Sequence, residues 1–184
     1  MDKTNRIERR RAFLFQNLPD PLKPQSSHLQ IFDNYIENTR LRIRSVRSPE
    51  TKQWTFVLQQ ISDESGQRKI AEIYLNDAEH EVFEQFEGRE IRKNERAATN
   101  EIRKNRYFYE TGGKTLELDV FLGDLWGLNI AQVFFETEEE LQNFEVPPFA
   151  VLEITNNPFF SGANLVGKKI DDVRAELAET AENK

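Results

Sequence analysis

The chain has 184 residues, a length that suits one domain, with 38% hydrophobic and 31% charged residues. Its net charge of −7 argues against a general nucleic-acid binder, and the absence of cysteine excludes disulfides, thiolate metal sites and cysteine nucleophiles. The apolar run Ala12-Phe13-Leu14-Phe15 behind Arg9-Arg10-Arg11 is too short for a signal-peptide core, and no stretch reaches transmembrane length, so a soluble cytoplasmic protein is the expectation.

Residues 7–15 read as a first strand, followed by a loop through Pro19, Pro21 and Pro24. Strands are then predicted over Gln30–Ile36, Arg40–Val46, Trp54–Ile61 and Arg68–Leu75, with Gly66 turning the last pair into a hairpin. Asn76 and Glu79 form a capping-box signature for a helix with Val82, Phe83 and Phe86 as its apolar stripe. His80 lies on this acidic helix and reads as exposed. Glu90-Ile91-Arg92-Lys93-Asn94 recurs as Glu101-Ile102-Arg103-Lys104-Asn105, and only the second copy, continued by Arg106-Tyr107-Phe108-Tyr109, reads as strand. Thr111-Gly112-Gly113-Lys114 is a hairpin turn into Leu116–Leu122, and a turn at Gly123–Gly127 leads to the strand Leu128–Phe135. Thr137 caps a short helix that Pro147-Pro148 ends, and Phe149–Thr155 is a last short strand. Asn156–Gly167 reads as loop. Ile170, Val173 and Leu177 at helical spacing predict an amphipathic helix near the C-terminus, within a terminal segment, residues 169–184, whose last residues fray. Trp54 and Trp126 read as packing residues.

The sum is roughly eight strands and three helices, mostly antiparallel hairpins. Charges recur with a period of two on several strands, Lys104 with Arg106 and Glu117 with Asp119, and Gln132 shares a face with Glu136. A barrel with a polar lumen explains this, and so does a flat sheet with one wet face. The fold class is therefore α+β, mainly antiparallel β, with a closed eight-stranded barrel flanked by helices as the specific expectation.

Arg40-Leu41-Arg42-Ile43-Arg44 alternates strictly, which as a strand puts three guanidiniums on one face. Three like charges in a row need an anion or a row of carboxylates opposite them. Guanidinium forks match phosphate geometry and keep their charge, so the row is a candidate phosphate site. On this stretch alone, a salt-bridged solvent face is the stronger reading.

The ordered set of segments resembles the CYTH family, the triphosphate tunnel metalloenzymes. Glu8-Arg9-Arg10-Arg11-Ala12-Phe13-Leu14 stands against the family's opening E-x-E-x-K-F-L, and Thr39–Arg44 against its R-x-R-x-R strand. Ile102–Tyr107 with Leu116–Phe121, and then Gly127-Leu128 through Gln132 and Glu153-Ile154-Thr155 to Leu165, complete the order over nearly the whole chain. The resemblance implies one tunnel domain over residues 1–184 whose basic residues hold a triphosphate, with acidic residues holding Mg²⁺ or Mn²⁺ if the protein is active. Family activities include inorganic, thiamine and RNA triphosphatase and class IV adenylate cyclase. The positions so implied for phosphate are Arg10, Arg40, Arg42, Arg44, Lys104 and Arg106. Those implied for metal are Glu8, Glu72, Glu117 and Asp119, with Glu136 as a further acid.

The sequence also departs from the pattern. Arg10 stands at the second glutamate of the opening motif and Ala12 at its lysine; pairing Glu8 with that second glutamate instead loses the match at Phe13-Leu14. Gln59 replaces a lumen lysine. Gln132-Val133-Phe134 replaces the family's metal-binding E-x-E, and neither amide nor phenyl ring suits Mg²⁺. Three functions follow: a tunnel that binds an anionic phosphate-containing small molecule with catalysis weak or lost, a working metal-dependent triphosphatase or cyclase on rearranged acids, or a non-binding structural barrel plugged by Phe134. Neither nucleic acid nor a membrane is an expected partner, and a barrel edge or the terminal helix is where a homodimer contact would form.

Overall fold

The computed structural model describes residues 4–64, 67–88, 90–93 and 96–182. Strands β1 (Thr4–Phe15), β2 (Leu29–Tyr35), β3 (Leu41–Arg47), β4 (Trp54–Glu64) and β5 (Gln67–Leu75) precede helix α1 (Asp77–Phe83) and the small hairpin β6 (Glu90–Lys93) and β7 (Arg96–Thr99). Strands β8 (Glu101–Thr111), β9 (Lys114–Phe121) and β10 (Asn129–Phe135) follow. Helix α2 (Glu138–Asn143), β11 (Ala150–Glu153), α3 (Gly162–Leu165) and α4 (Ile170–Glu182) complete the chain. The expected turn at Gly66, the repeat's Asn94 and the frayed end at Asn183-Lys184 lie outside the described residues. Both copies of the Glu-Ile-Arg-Lys repeat are strand, which corrects the expectation that only the second is.

A closed antiparallel barrel runs β10-β9-β8-β2-β3-β4-β5-β1 and back to β10. Closure falls on β1, which is long enough to serve two neighbours. It pairs with β5 from Thr4 to Glu8 and with β10 from Arg9 to Leu14, while β11 pairs with Phe13–Phe15. The two-residue turn between β8 and β9 puts Gly112 and Gly113 at φ 56 and 73, the left-handed conformations that a primed hairpin turn requires.

Alternation on each strand sorts side chains into two faces. On the outside, Phe13, Phe15, Leu116, Leu118, Ala131 and Val133 form a core covered by Leu18, Leu141, Phe144 and Phe149. A second core closes one end of the barrel: Ala12, Ile102, Phe121 and Ile130 pack with Ile154, Phe160 and Leu165, and α4 adds Val173. The segment expected as plain loop thus contains a 3₁₀ turn (Pro158–Phe160) and α3, which build an apolar plug. Gly162 is required there, because a Cβ would sit 1.7 Å from the Tyr35 hydroxyl.

The predicted capping box of α1 is present: Asn76 Oδ1 accepts from the Glu79 amide and Glu79 Oε2 from the Asn76 amide, both at 2.9 Å. His80, expected to be exposed, is buried. Its ring stacks on Phe56 at 3.6 Å and its Nε2 lies 2.9 Å from Glu87 Oε1, to which Ser45 also donates. Trp54 stacks on Phe56 but remains 47% exposed, and Trp126 is 73% exposed and is no packing residue. Among the described residues no helix is long and apolar enough to cross a membrane.

Candidate functional site

The barrel encloses a cavity of about 930 Å³. Inward positions of the strands line it: Glu8 and Arg10 on β1, Asp33 on β2, Arg42 and Arg44 on β3, Gln59 on β4. Arg68 and Glu72 on β5, Lys104 and Arg106 on β8, Glu117 on β9 and Gln132 on β10 continue the wall. Every barrel strand therefore contributes a polar or charged group, which the period of two makes possible.

Contacts link these groups into a girdle that touches every barrel strand. Glu72 accepts from Gln59 Nε2 at 2.5 Å, and Gln59 Oε1 accepts from Arg42 Nε at 2.8 Å. Arg42 Nη1 reaches Asp33 Oδ2 at 3.4 Å and donates to the Tyr35 hydroxyl at 3.0 Å. Lys104 Nζ joins Asp33 at 3.5 Å to Asp119 at 2.8 Å. Gln132 Nε2 donates to Asp119 Oδ2 at 3.3 Å, and Gln132 Oε1 accepts from Arg10 Nη1 at 2.8 Å. Glu8 lies 4.0 Å from Arg10 and 3.3 Å from Arg68 Nε, which returns the path to β5. That Arg68 nitrogen is buried and has no hydrogen-bond partner among the described residues.

Two carboxylates anchor the girdle. Asp33 takes a fork from Arg44, Nε to Oδ1 at 2.6 Å and Nη2 to Oδ2 at 2.8 Å. Asp119 takes a matching fork from Arg106 at 2.6 and 2.7 Å, and Arg106 also pairs with Glu117. Burial disfavours the charged form of Asp33, but Arg42, Arg44 and Lys104 outweigh it and hold the carboxyl well below the ordinary range. Asp119 is likewise held down by Arg106 and Lys104 against its burial. Burial pulls the Lys104 ammonium below the usual lysine range despite both carboxylates. The two arginines keep their charge: burial opposes it, and Asp33 for Arg44 and Asp119 for Arg106 prevail.

Arg10, Arg42, Arg44, Lys104 and Arg106 are thus brought together in one lumen. Arg40 is not with them. Strand parity pointed it inward, but β3 starts only at Leu41, and Arg40 sits exposed in the preceding turn, outside the cavity lining. Glu136 is exposed as well. Asp33 and Arg68 are lumen groups that the sequence reading did not single out. The signal for Asp33 was a lone carboxylate within Ile31-Phe32-Asp33-Asn34-Tyr35, on a strand beside the arginine row.

The four acids implied for a metal do not assemble. Among the described residues no group of three or more His, Cys, Asp or Glu is placed to hold a metal ion. Both Asp119 oxygens are taken by cations and Gln132, Glu117 by Arg106, Glu72 by Gln59, and Glu8 lies beside Arg10 and Arg68. A divalent cation needs several carboxylate oxygens turned toward one point, and these are turned toward guanidiniums and amides. This donor set does not fit Mg²⁺ or Mn²⁺. Phe134 lines the cavity without filling it.

Two solved structures of NE1496 share the architecture. One, described as a hypothetical protein, matches with a TM-score of 0.56 and 22% identity over 88% of this chain and 99% of that one. The other, described as an inorganic triphosphatase, matches with a TM-score of 0.55 and 22% identity over 86% of this chain and 93% of that one. The chain has the triphosphate-tunnel fold. The cavity is the lumen of that tunnel, closed at one end by the Phe160–Leu165 plug. No family model and no curated protein matches the sequence.

Proposed function

We propose that the tunnel binds a phosphate-bearing small anion and does not hydrolyse it. The observation that carries this reading is the convergence of Arg10, Arg42, Arg44, Arg68, Lys104 and Arg106 on one cavity of about 930 Å³. Guanidinium forks and an ammonium suit phosphoryl oxygens, and burial strengthens each contact. Hydrolysis of a triphosphate by this fold would rest on a divalent cation to neutralise developing charge and orient water, and the lumen carboxylates are engaged elsewhere.

Calorimetric titration of phosphate-containing probes, with and without Mn²⁺, tests the reading. Saturable binding that Arg44→Gln weakens, with no phosphate release, is the expected result. Metal-dependent release would favour a working phosphohydrolase on Glu8, Glu72, Glu117 and Asp119. The mutual pairing of the girdle's acids and bases favours a second reading, a barrel whose lumen satisfies itself and binds nothing; absence of heat with every probe would select it.

A further inference from the structure

Charge balance in the lumen narrows the ligand class, resting on the anion-binding reading above. Among the described residues, seven cations line the cavity (Arg9, Arg10, Arg42, Arg44, Arg68, Lys104, Arg106), against four carboxylates in the lining (Glu8, Asp33, Glu72, Glu117) and Asp119 paired behind Lys104 and Arg106. Seven against five leaves two formal positive charges among the described residues. The carboxylates are interleaved with the cations around the whole girdle, so a polyanion laid along it meets an acid beside each base. Like charges brought together in a low-dielectric lumen repel strongly. A phosphomonoester, with about −1.5 to −2 charges at neutral pH, comes close to the available excess, whereas tripolyphosphate far exceeds it.

The remaining wall is apolar and leads out to solvent. Val46, Val57, Ile70 and Phe134 line the same cavity as the girdle. Tyr74 and Ile7 line it too while remaining 56% and 43% exposed, which places them where the lumen meets solvent. Inorganic phosphate would leave this surface wet. An aryl or other apolar body attached to the phosphate would cover it and gain both burial and ring contacts.

We infer that the tunnel takes a phosphomonoester with an apolar or aromatic body, its phosphate at the girdle and its body against Tyr74 and Phe134, in preference to inorganic polyphosphate. The test is calorimetric titration of the full chain with phenyl phosphate, orthophosphate and tripolyphosphate at one ionic strength. Phenyl phosphate is expected to bind about tenfold more tightly than either inorganic probe, a difference near one aromatic contact plus the relief of charge mismatch. Tyr74→Ala, at an exposed position that does not hold the fold, should narrow the ratio between phenyl phosphate and orthophosphate. Tripolyphosphate binding as tightly as phenyl phosphate would overturn the charge-balance inference and leave the anion-binding reading standing. Orthophosphate matching phenyl phosphate would overturn the apolar-body half. Absence of binding by all three would overturn the anion-binding reading itself, and the inference with it.

Discussion

The girdle is built differently along its two arcs. Across β3, β2, β8 and β9, carboxylates meet guanidiniums directly: Asp33 with Arg44, Asp119 with Arg106, and Lys104 between them. Across β4–β5 and β10–β1, amides intervene, with Gln59 between Arg42 and Glu72, and Gln132 between Arg10 and Asp119. A side-chain amide accepts at one end and donates at the other, so it joins a cation to a carboxylate without adding charge. On the direct arc, removing one partner would leave a buried charge short of its counter-charge. The amide arc sets its net charge, because any charged residue at 59 or 132 would face a like charge next door.

The largest expected effect lies on the direct arc. Asp119→Asn leaves Lys104 with only the more distant Asp33 and Arg106 with only Glu117, and breaking a buried pair this way costs about 3–5 kcal/mol. Urea unfolding should show that loss; a cost no greater than that of a surface pair would mean water already compensates these charges. On the amide arc, Gln132→Glu keeps the acceptor for Arg10 but sets a carboxylate where Gln132 Nε2 now donates to Asp119 at 3.3 Å. Its expected cost is smaller, about 1–3 kcal/mol, the scale of a buried group losing its partner.

Acid should act through the direct arc as well. Asp33 and Asp119 are both held below their ordinary range, so the stability they contribute is fully present above the unfolded carboxyl value of about 3.9 and is lost as pH falls toward their folded values. The urea midpoint of the wild type should fall steadily below about pH 5, and the fall should be shallower in Asp119→Asn. A parallel decline in both proteins would place the acid sensitivity outside the girdle.

The closed end and the surface give smaller effects. Gly162→Ala puts a methyl against the Tyr35 hydroxyl and should shift the plug at a cost of about 1–3 kcal/mol, read as a lowered thermal midpoint. At the rim, Arg11 forks onto Glu153 at 3.0 and 2.7 Å and ties β1 to β11. Removing it by Arg11→Ala should cost only about 1 kcal/mol, since the Glu153 side chain is 40% exposed. A larger loss would point to its hydrogen bond with the Phe144 carbonyl as the real anchor.

Much of the barrel was legible because its strands alternate with a period of two and its turns carry Gly112-Gly113 or a capping box. The same alternation exposed Arg42, Arg44, Lys104 and Arg106 as one face. It misplaced Arg40, because parity says which face a residue takes and not where the strand begins. Asp33 escaped notice because one carboxylate has no period. The plug lies within Asn156–Gly167, which reads as loop, since its helical turns are too short for a periodic signal, and its order comes from packing on Ile102, Phe121 and Ile130. His80 is buried by Phe56, a residue from β4, which no reading of its own helix could reveal.

The most direct test of the central claim combines one titration with one assay: phenyl phosphate and tripolyphosphate added to the wild type and to Arg44→Gln, with Mn²⁺ present and phosphate release followed in the same samples. Saturable binding, weakened in Arg44→Gln and accompanied by no release, is the predicted result. Metal-dependent phosphate release by the wild type would contradict it, because the lumen carboxylates would then be holding a cation and not the girdle.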